Sequence, residues 1–149
     1  MPTEIAQSFK LQLNDMYAVL LEVSPALADT PWRPGGWTRK QLVGHLLDSA
    51  ANNRQRFVRA AIDGTYTGPF YAQDSWIIAH GYAEQSWEDL LRWWLAESEI
   101  LMAVVDRIPE DKLSAMCHVG DDEPVTLQFL IGDYLRHHLH HLAQITSGV

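Results

Sequence analysis

At 149 residues the chain is long enough for one domain, 1–149, to bury a full core without disulfides or a structural metal. Its formal charge of −8, with 11 Lys and Arg scattered along it, excludes the clustered basic surface that nucleic acid or anionic lipid needs. One cysteine, Cys117, excludes an intrachain disulfide, and with no signal-peptide pattern in residues 1–22 and no apolar run of ~18–20 residues, the expectation is a cytoplasmic protein.

In chain order, Ile5, Phe9, Leu13, Tyr17, Leu20 and Leu21 recur at helical spacing and predict a helix from about Glu4 to Glu22, stopped by Ser24-Pro25. The loop Asp29-Thr-Pro-Trp-Arg-Pro-Gly-Gly-Trp37 follows, rigid and partly packed because it holds two prolines and two tryptophans. Thr38-x-x-Gln41 is a capping box for a second helix to about Ile62, before Gly64. Residues 64–84 are turn-rich and aromatic, with one short helix near Asp74–Ala79. Ser86-Trp-Glu-Asp89 opens a third long helix ending before Pro109. Met116–Val125 reads as a short β-hairpin about Gly120-Asp-Asp, and Thr126 caps a fourth helix to about Ile145. Long helices with short connections predict an all-α four-helix bundle with a short β-hairpin before the last helix.

Polar chemistry gathers on two of these helices. At about 100° per residue, Leu42, Leu46, Ala50, Asn53 and Phe57 centre one face of the second helix. His45, Ser49, Asn52 and Arg56 run beside them, flanked by Asp48. Polar groups at the edge of a core-facing stripe predict a pocket; the competing reading is a solvated edge with one half-buried histidine. The fourth helix carries Tyr134-Leu-Arg-His137-His-Leu-His-His141-Leu-Ala-Gln144, with four of the chain's 7 histidines. Imidazoles four apart stack on one helix face, which is how a helix offers two nitrogen ligands to one metal ion. Spacing permits His137/His141 or His138/His141 as the pair, and His45 on a facing helix is the natural third ligand. Interleaved Leu135, Leu139 and Leu142 distinguish this run from a tag. A hydrolytic zincin is disfavoured, because His138 stands where that motif needs Glu. No Gly-x-Ser-x-Gly nucleophile turn or Gly-rich phosphate loop is present.

Several segments in order resemble the DinB/YfiT-like superfamily of metal-dependent enzymes, most closely its YfiT branch. They are Pro34-Gly-Gly-Trp-Thr38; His45-Leu-Leu-Asp48-Ser49 with Asn52, Arg56 and Phe57; the Gly120–Thr126 hairpin; and Tyr134 with His137, His141, Leu142, Ala143 and Ile145. The resemblance implies a bundle in which His45, His137 and His141 hold a divalent metal, His138 is a neighbour, and coordination positions stay open. It further implies a transferase of low-molecular-weight thiols, with a metal-dependent hydrolase as the alternative. Together with the aromatic faces of the bundle it implies a homodimer. Gln144 departs from the histidine of the YfiT branch.

A three-imidazole site with an open position suits a catalytic ion. Zinc or nickel leads, with iron, copper and manganese also open. Such an ion lowers the pKa of a thiol or of a water. Ser49, Asn52 and Arg56 are expected to orient an anionic substrate, Arg56 by pairing a carboxylate unless it holds Asp48 instead. Asp133 is either an acceptor for a ligand N–H or a solvated carboxylate. His118 either reaches the site mouth or makes a surface bond. Trp87, Trp93 and Trp94 read as core or dimer packing, and Cys117 as a buried structural thiol. The expectation is a metal-dependent enzyme acting on a small molecule, with no nucleic-acid or membrane partner. The reading from another class is a non-catalytic bundle that binds a metal or small ligand in a stress response.

Overall fold

The computed structural model describes residues 4–148. The first helix, α1 (Glu4–Leu21), turns Phe9, Leu13 and Leu20 inward. The expected loop begins at Asp29, but the Ser24-Pro25 stop before it is itself a start, because Ser24 caps a short helix, α2 (Pro25–Ala28), that the sequence reading did not predict. Ser24 Oγ accepts the Leu27 N–H at 3.1 Å, and a proline at the first helical position starts a helix as readily as it ends one.

The predicted capping box is present at the start of α3 (Arg39–Asp63), with Gln41 N–H on Thr38 Oγ1 at 3.2 Å and Thr38 N–H on Gln41 Oε1 at 3.0 Å. Buried Arg39 ties this end to the last turn of the chain, donating to Ile145 O at 3.0 Å and Ser147 O at 2.8 Å. A strand, β1 (Thr65–Gly68), follows, then α4 (Gln73–His80), a 3-10 turn at Tyr82–Glu84, and α5 (Trp87–Arg107) capped by Ser86. The hairpin is β2 (Met116–Val119) with β3 (Val125–Thr126), and Thr126 caps α6 (Leu127–Ile145).

The four long helices form the expected bundle. Both α1 and α3 pack against α5 and α6, so the apolar stripes meet in one core that includes Phe9, Leu46, Phe57, Trp94, Leu101 and Leu135. One pairing is absent from the sequence reading. β1 lies parallel to β2, Thr65 opposite Met116 through Gly68 opposite Val119, making a three-stranded sheet. Thr-Tyr-Thr-Gly is too short for its alternation to announce a strand; the free edge of the hairpin supplies its partner. Gly120 closes the hairpin turn at φ +57, and the Phe70 ring fills the space where a Cβ would stand. The sheet, the Phe70 segment and α3 thereby wall one side of a cleft beside α6. No described helix is long and apolar enough to cross a membrane.

Candidate metal centre

His45 lies in the second turn of α3, buried, facing α6. Its ring centroid is 5.6 Å from that of His137 and 4.8 Å from that of His141, and the last two are 4.4 Å apart. One ring nitrogen from each lies within 4.8 Å of the others. Nε2 of His137 and Nε2 of His141 are 3.1 Å apart. Exposure grades outward from buried His45 through half-buried His141 to exposed His137, so the group opens on one side. Trp37, from the packed loop, stands 5.1 Å from the His45 ring and forms a wall.

Burial, reinforced by the two neighbouring imidazoles, pulls His45 down to about 4. Burial also lowers His137 and His141. All three are therefore neutral near pH 7, the form in which imidazole offers a lone pair. The amide of Gln144 orients one of them: His141 Nδ1–H donates to Gln144 Oε1 at 2.7 Å, which leaves Nε2 as the lone-pair nitrogen. The other end of that amide lies 3.1 Å from His140 Nε2. His45 Nδ1 is buried with no hydrogen-bond partner. Converging neutral imidazoles, one with an orphaned nitrogen, fit a divalent cation as donor set.

The choice between histidine pairs that spacing leaves open is made by packing. His138 is buried between helices and accepts the Trp94 Nε1–H at 2.9 Å, with Phe9 edge-on at 5.2 Å. Burial holds it at about 3. It is a core residue, and His141 with His137 faces His45.

His45, Ser49 and Arg56 of the α3 stripe are buried with flanking Asp48, and Asn52 is half-buried, which removes the solvated-edge alternative. Ser49 and Arg56 line a cleft of ≈ 300 Å³ that reaches His137, together with Tyr71, Tyr134 and Asn53. Asn52 is not in it: its amide returns to Asp48 O at 2.9 Å, and its side chain lines a different groove. Asn53 takes that place because the cleft cuts into the face that an apolar wheel assigns to the core. Arg56 does not pair with Asp48. Asp48 Oδ1 instead accepts the Tyr82 hydroxyl at 2.6 Å and lies 3.3 Å from His80 Nδ1. His80 and Tyr82, stacked at 4.9 Å, gave no periodic signal in their turn-rich segment. Tyr71, likewise in a loop, lines the cleft with Ser49, and burial first, then Asp48, pushes it up to about 12.

Asp133 is exposed on the cleft rim, and its charge works against burial in setting the basicity of His137. His118 is exposed on β2 opposite Thr67 and does not line the cleft. Cys117 is buried in the cleft wall with its thiol pushed up by burial, as an inert thiol is. Trp87 and Trp94 are core, whereas Trp93 is 44% exposed.

Fold and site together define a four-helix-bundle protein with three convergent imidazoles between α3 and α6. The chain belongs to the DinB superfamily, whose family profile matches residues 8–145. It is 31% identical over 149 residues to a "Putative metal-dependent hydrolase" of Bacillus pumilus (strain SAFR-032), covering 87% of this chain and 74% of that one. It is 28% identical over 131 residues to "Putative metal-dependent hydrolase YfiT" of Bacillus subtilis (strain 168), covering 80% and 67%. The solved structure of YfiT, described as "a probable metal-dependent hydrolase with an unusual four-helix bundle topology", matches with a TM-score of 0.83 at 26% identity, over 98% of this chain and 86% of that one.

Proposed function

We propose that this protein is a metal-dependent enzyme that joins a low-molecular-weight thiol to a small electrophile. The observation that carries the reading is the convergence of His45, His137 and His141 with no carboxylate hydrogen-bonded to any of them among the described residues. These three would hold a divalent ion, zinc or nickel first, with iron, copper and manganese compatible with the same donors. When bound, the ion supplies Lewis acidity that lowers the pKa of a thiol or of a water. A cysteine-type thiol starts near ~8.5 and water near ~15.7, so a centre with no carboxylate hydrogen-bonded to its imidazoles favours the thiol as nucleophile. In the reaction the S–H proton leaves, sulfur bonds to the electrophilic carbon, and the bond to the leaving atom breaks as that atom takes up a proton. Trp37 shields His45 from water, Gln144 holds His141 in one tautomer, and the Tyr71 phenol stays protonated as a donor in the cleft.

Hydrolysis is the second reading, favoured by the names of the relatives. Untagged protein, analysed for metal and assayed with a chromogenic aryl halide with and without thiol, separates the two. Thiol-dependent turnover is expected. Turnover that proceeds equally without thiol refutes transfer, and stoichiometric metal with no turnover of either kind makes the protein a binding module. The substrate is proposed to be a small molecule. A homodimer is also proposed, with Trp93 the one of the three helix-α5 tryptophans left for a partner, and sedimentation velocity tests it.

A further inference from the structure

Helix α3 buries a guanidinium that no carboxylate contacts among the described residues. Arg56 is 8% exposed, and its bonds run to neutral oxygens, Nη2 to Pro69 O at 3.3 Å and Nη1 to Asn53 Oδ1 at 3.5 Å. Among the described residues no carboxylate pairs with it, since Asp48 is engaged by Tyr82 and His80. Hydrogen bonds this long return little, and a buried cation without an ionic partner is costly. Arg56 also lines the cleft that reaches His137, together with Ser49.

We infer that this cleft binds a small-molecule monocarboxylate lengthwise, its acid group on Arg56 and its reactive end beside His137. Only the chemistry of that reactive end rests on the reaction proposed above. A planar guanidinium fork matches a carboxylate with two parallel N–H···O bonds. Eleven residues separate His45 from Arg56, which puts them roughly 16 Å apart along the helix axis. Both side chains lean toward the helix N-terminus, and the longer arginine reaches back further, with Nη1 on Asn53 Oδ1, so the backbone spacing is the upper limit for the separation of their tips. A ligand that spans the cleft is accordingly extended, with its acid and its reactive group at opposite ends. Its charge is limited as well. Asp122, Glu123 and Asp133 stand on the cleft walls, so one negative charge finds Arg56 while a second meets repulsion, which disfavours dicarboxylates and phosphates.

The test is calorimetric titration of the untagged protein, as purified and after chelation, with mercaptopropionate, mercaptohexanoate and mercaptoundecanoate. The methyl ester of the longest and the corresponding phosphate monoester serve as controls. Affinity is expected to rise with length among the acids, and the ester and the phosphate are each expected to bind about tenfold or more weaker than the matching acid, the equivalent of one charge-assisted hydrogen bond. Arg56→Gln should abolish the acid–ester difference, and Arg56→Lys should retain part of it. Equal binding of acid and ester by the wild-type protein, which needs no variant to fold, overturns the inference; so does a difference that survives in Arg56→Gln. A short acid that binds as tightly as the long one overturns the lengthwise placement. Failure of the metal centre would appear separately, as metal content unchanged in His45→Ala with the acid–ester ratio intact.

Discussion

His138 and His141 are three residues apart and meet opposite environments. The first hands its Nε2 to Trp94 inside the core; the second turns toward His45 and is steadied by Gln144. Two substitutions separate these roles. His138→Leu leaves the Trp94 N–H without an acceptor and should cost about 1–3 kcal/mol in urea unfolding while leaving metal content unchanged. His45→Ala should abolish stoichiometric metal, and equal metal in variant and wild type would sink the centre. The same histidines set a pH dependence. In the folded protein His45 and His138 titrate at about 4 and about 3, against 6.5 for the free side chain. Between those values and 6.5 the unfolded chain binds more protons, so stability of the metal-free protein is full above pH ~6.5 and falls as pH drops toward ~4. Buried Asp48, raised by desolvation, works in the opposite direction, but it is one acid against several histidines. A melting temperature that stays level from neutral pH to pH ~5 would contradict this. In the sequence, spacing marked the histidine run as a ligand source without choosing between His137/His141 and His138/His141, and the family resemblance named His137 and His141. Spacing alone could not choose because the azimuth at which α6 docks is set by the elements it packs against.

At the scale of elements, the second turn of α3 depends on a missing side chain. A Cβ on Gly44 would stand 2.1 Å from the Tyr82 ring, whose hydroxyl binds Asp48. Alanine normally stabilises a helix interior by about 0.8–1 kcal/mol over glycine. Overpacking at this contact should outweigh that, so Gly44→Ala is expected to destabilise by about 1–3 kcal/mol in equilibrium unfolding. A more stable variant would show that Tyr82 has room to move. Thr38→Ala removes the capping box and should cost about 1 kcal/mol by the same measurement. The four long helices and their Thr38, Ser86 and Thr126 caps were legible because each is written within a few residues. The strand β1 was not, because its partner β2 lies 51 residues away, as in the Thr65 hydroxyl bond to Met116 O. Helix α2 was hidden for a different reason: its Ser-Pro start has the look of a stop.

Over the whole molecule, the cleft exists because three units converge. Helix α3 supplies the floor, α6 the far wall with Tyr134 and His137, and the small sheet with the Phe70 segment the near wall. A metal bound only by the folded state stabilises it by mass action. Adding zinc or nickel to chelated protein is therefore expected to raise the melting temperature, and His141→Ala should erase that rise; an equal rise in the variant would place the ion elsewhere. The sequence by itself determined the bundle, its helix ends, the hairpin and the set of histidines from which ligands are drawn, since helical periodicity and capping are local. Only the tertiary structure decided that His138 is core, that Asn53 rather than Asn52 meets the cleft, and that Arg56 is left without Asp48. Those outcomes turn on how far each helix rotates about its own axis when its apolar stripe docks, a quantity that no single segment contains.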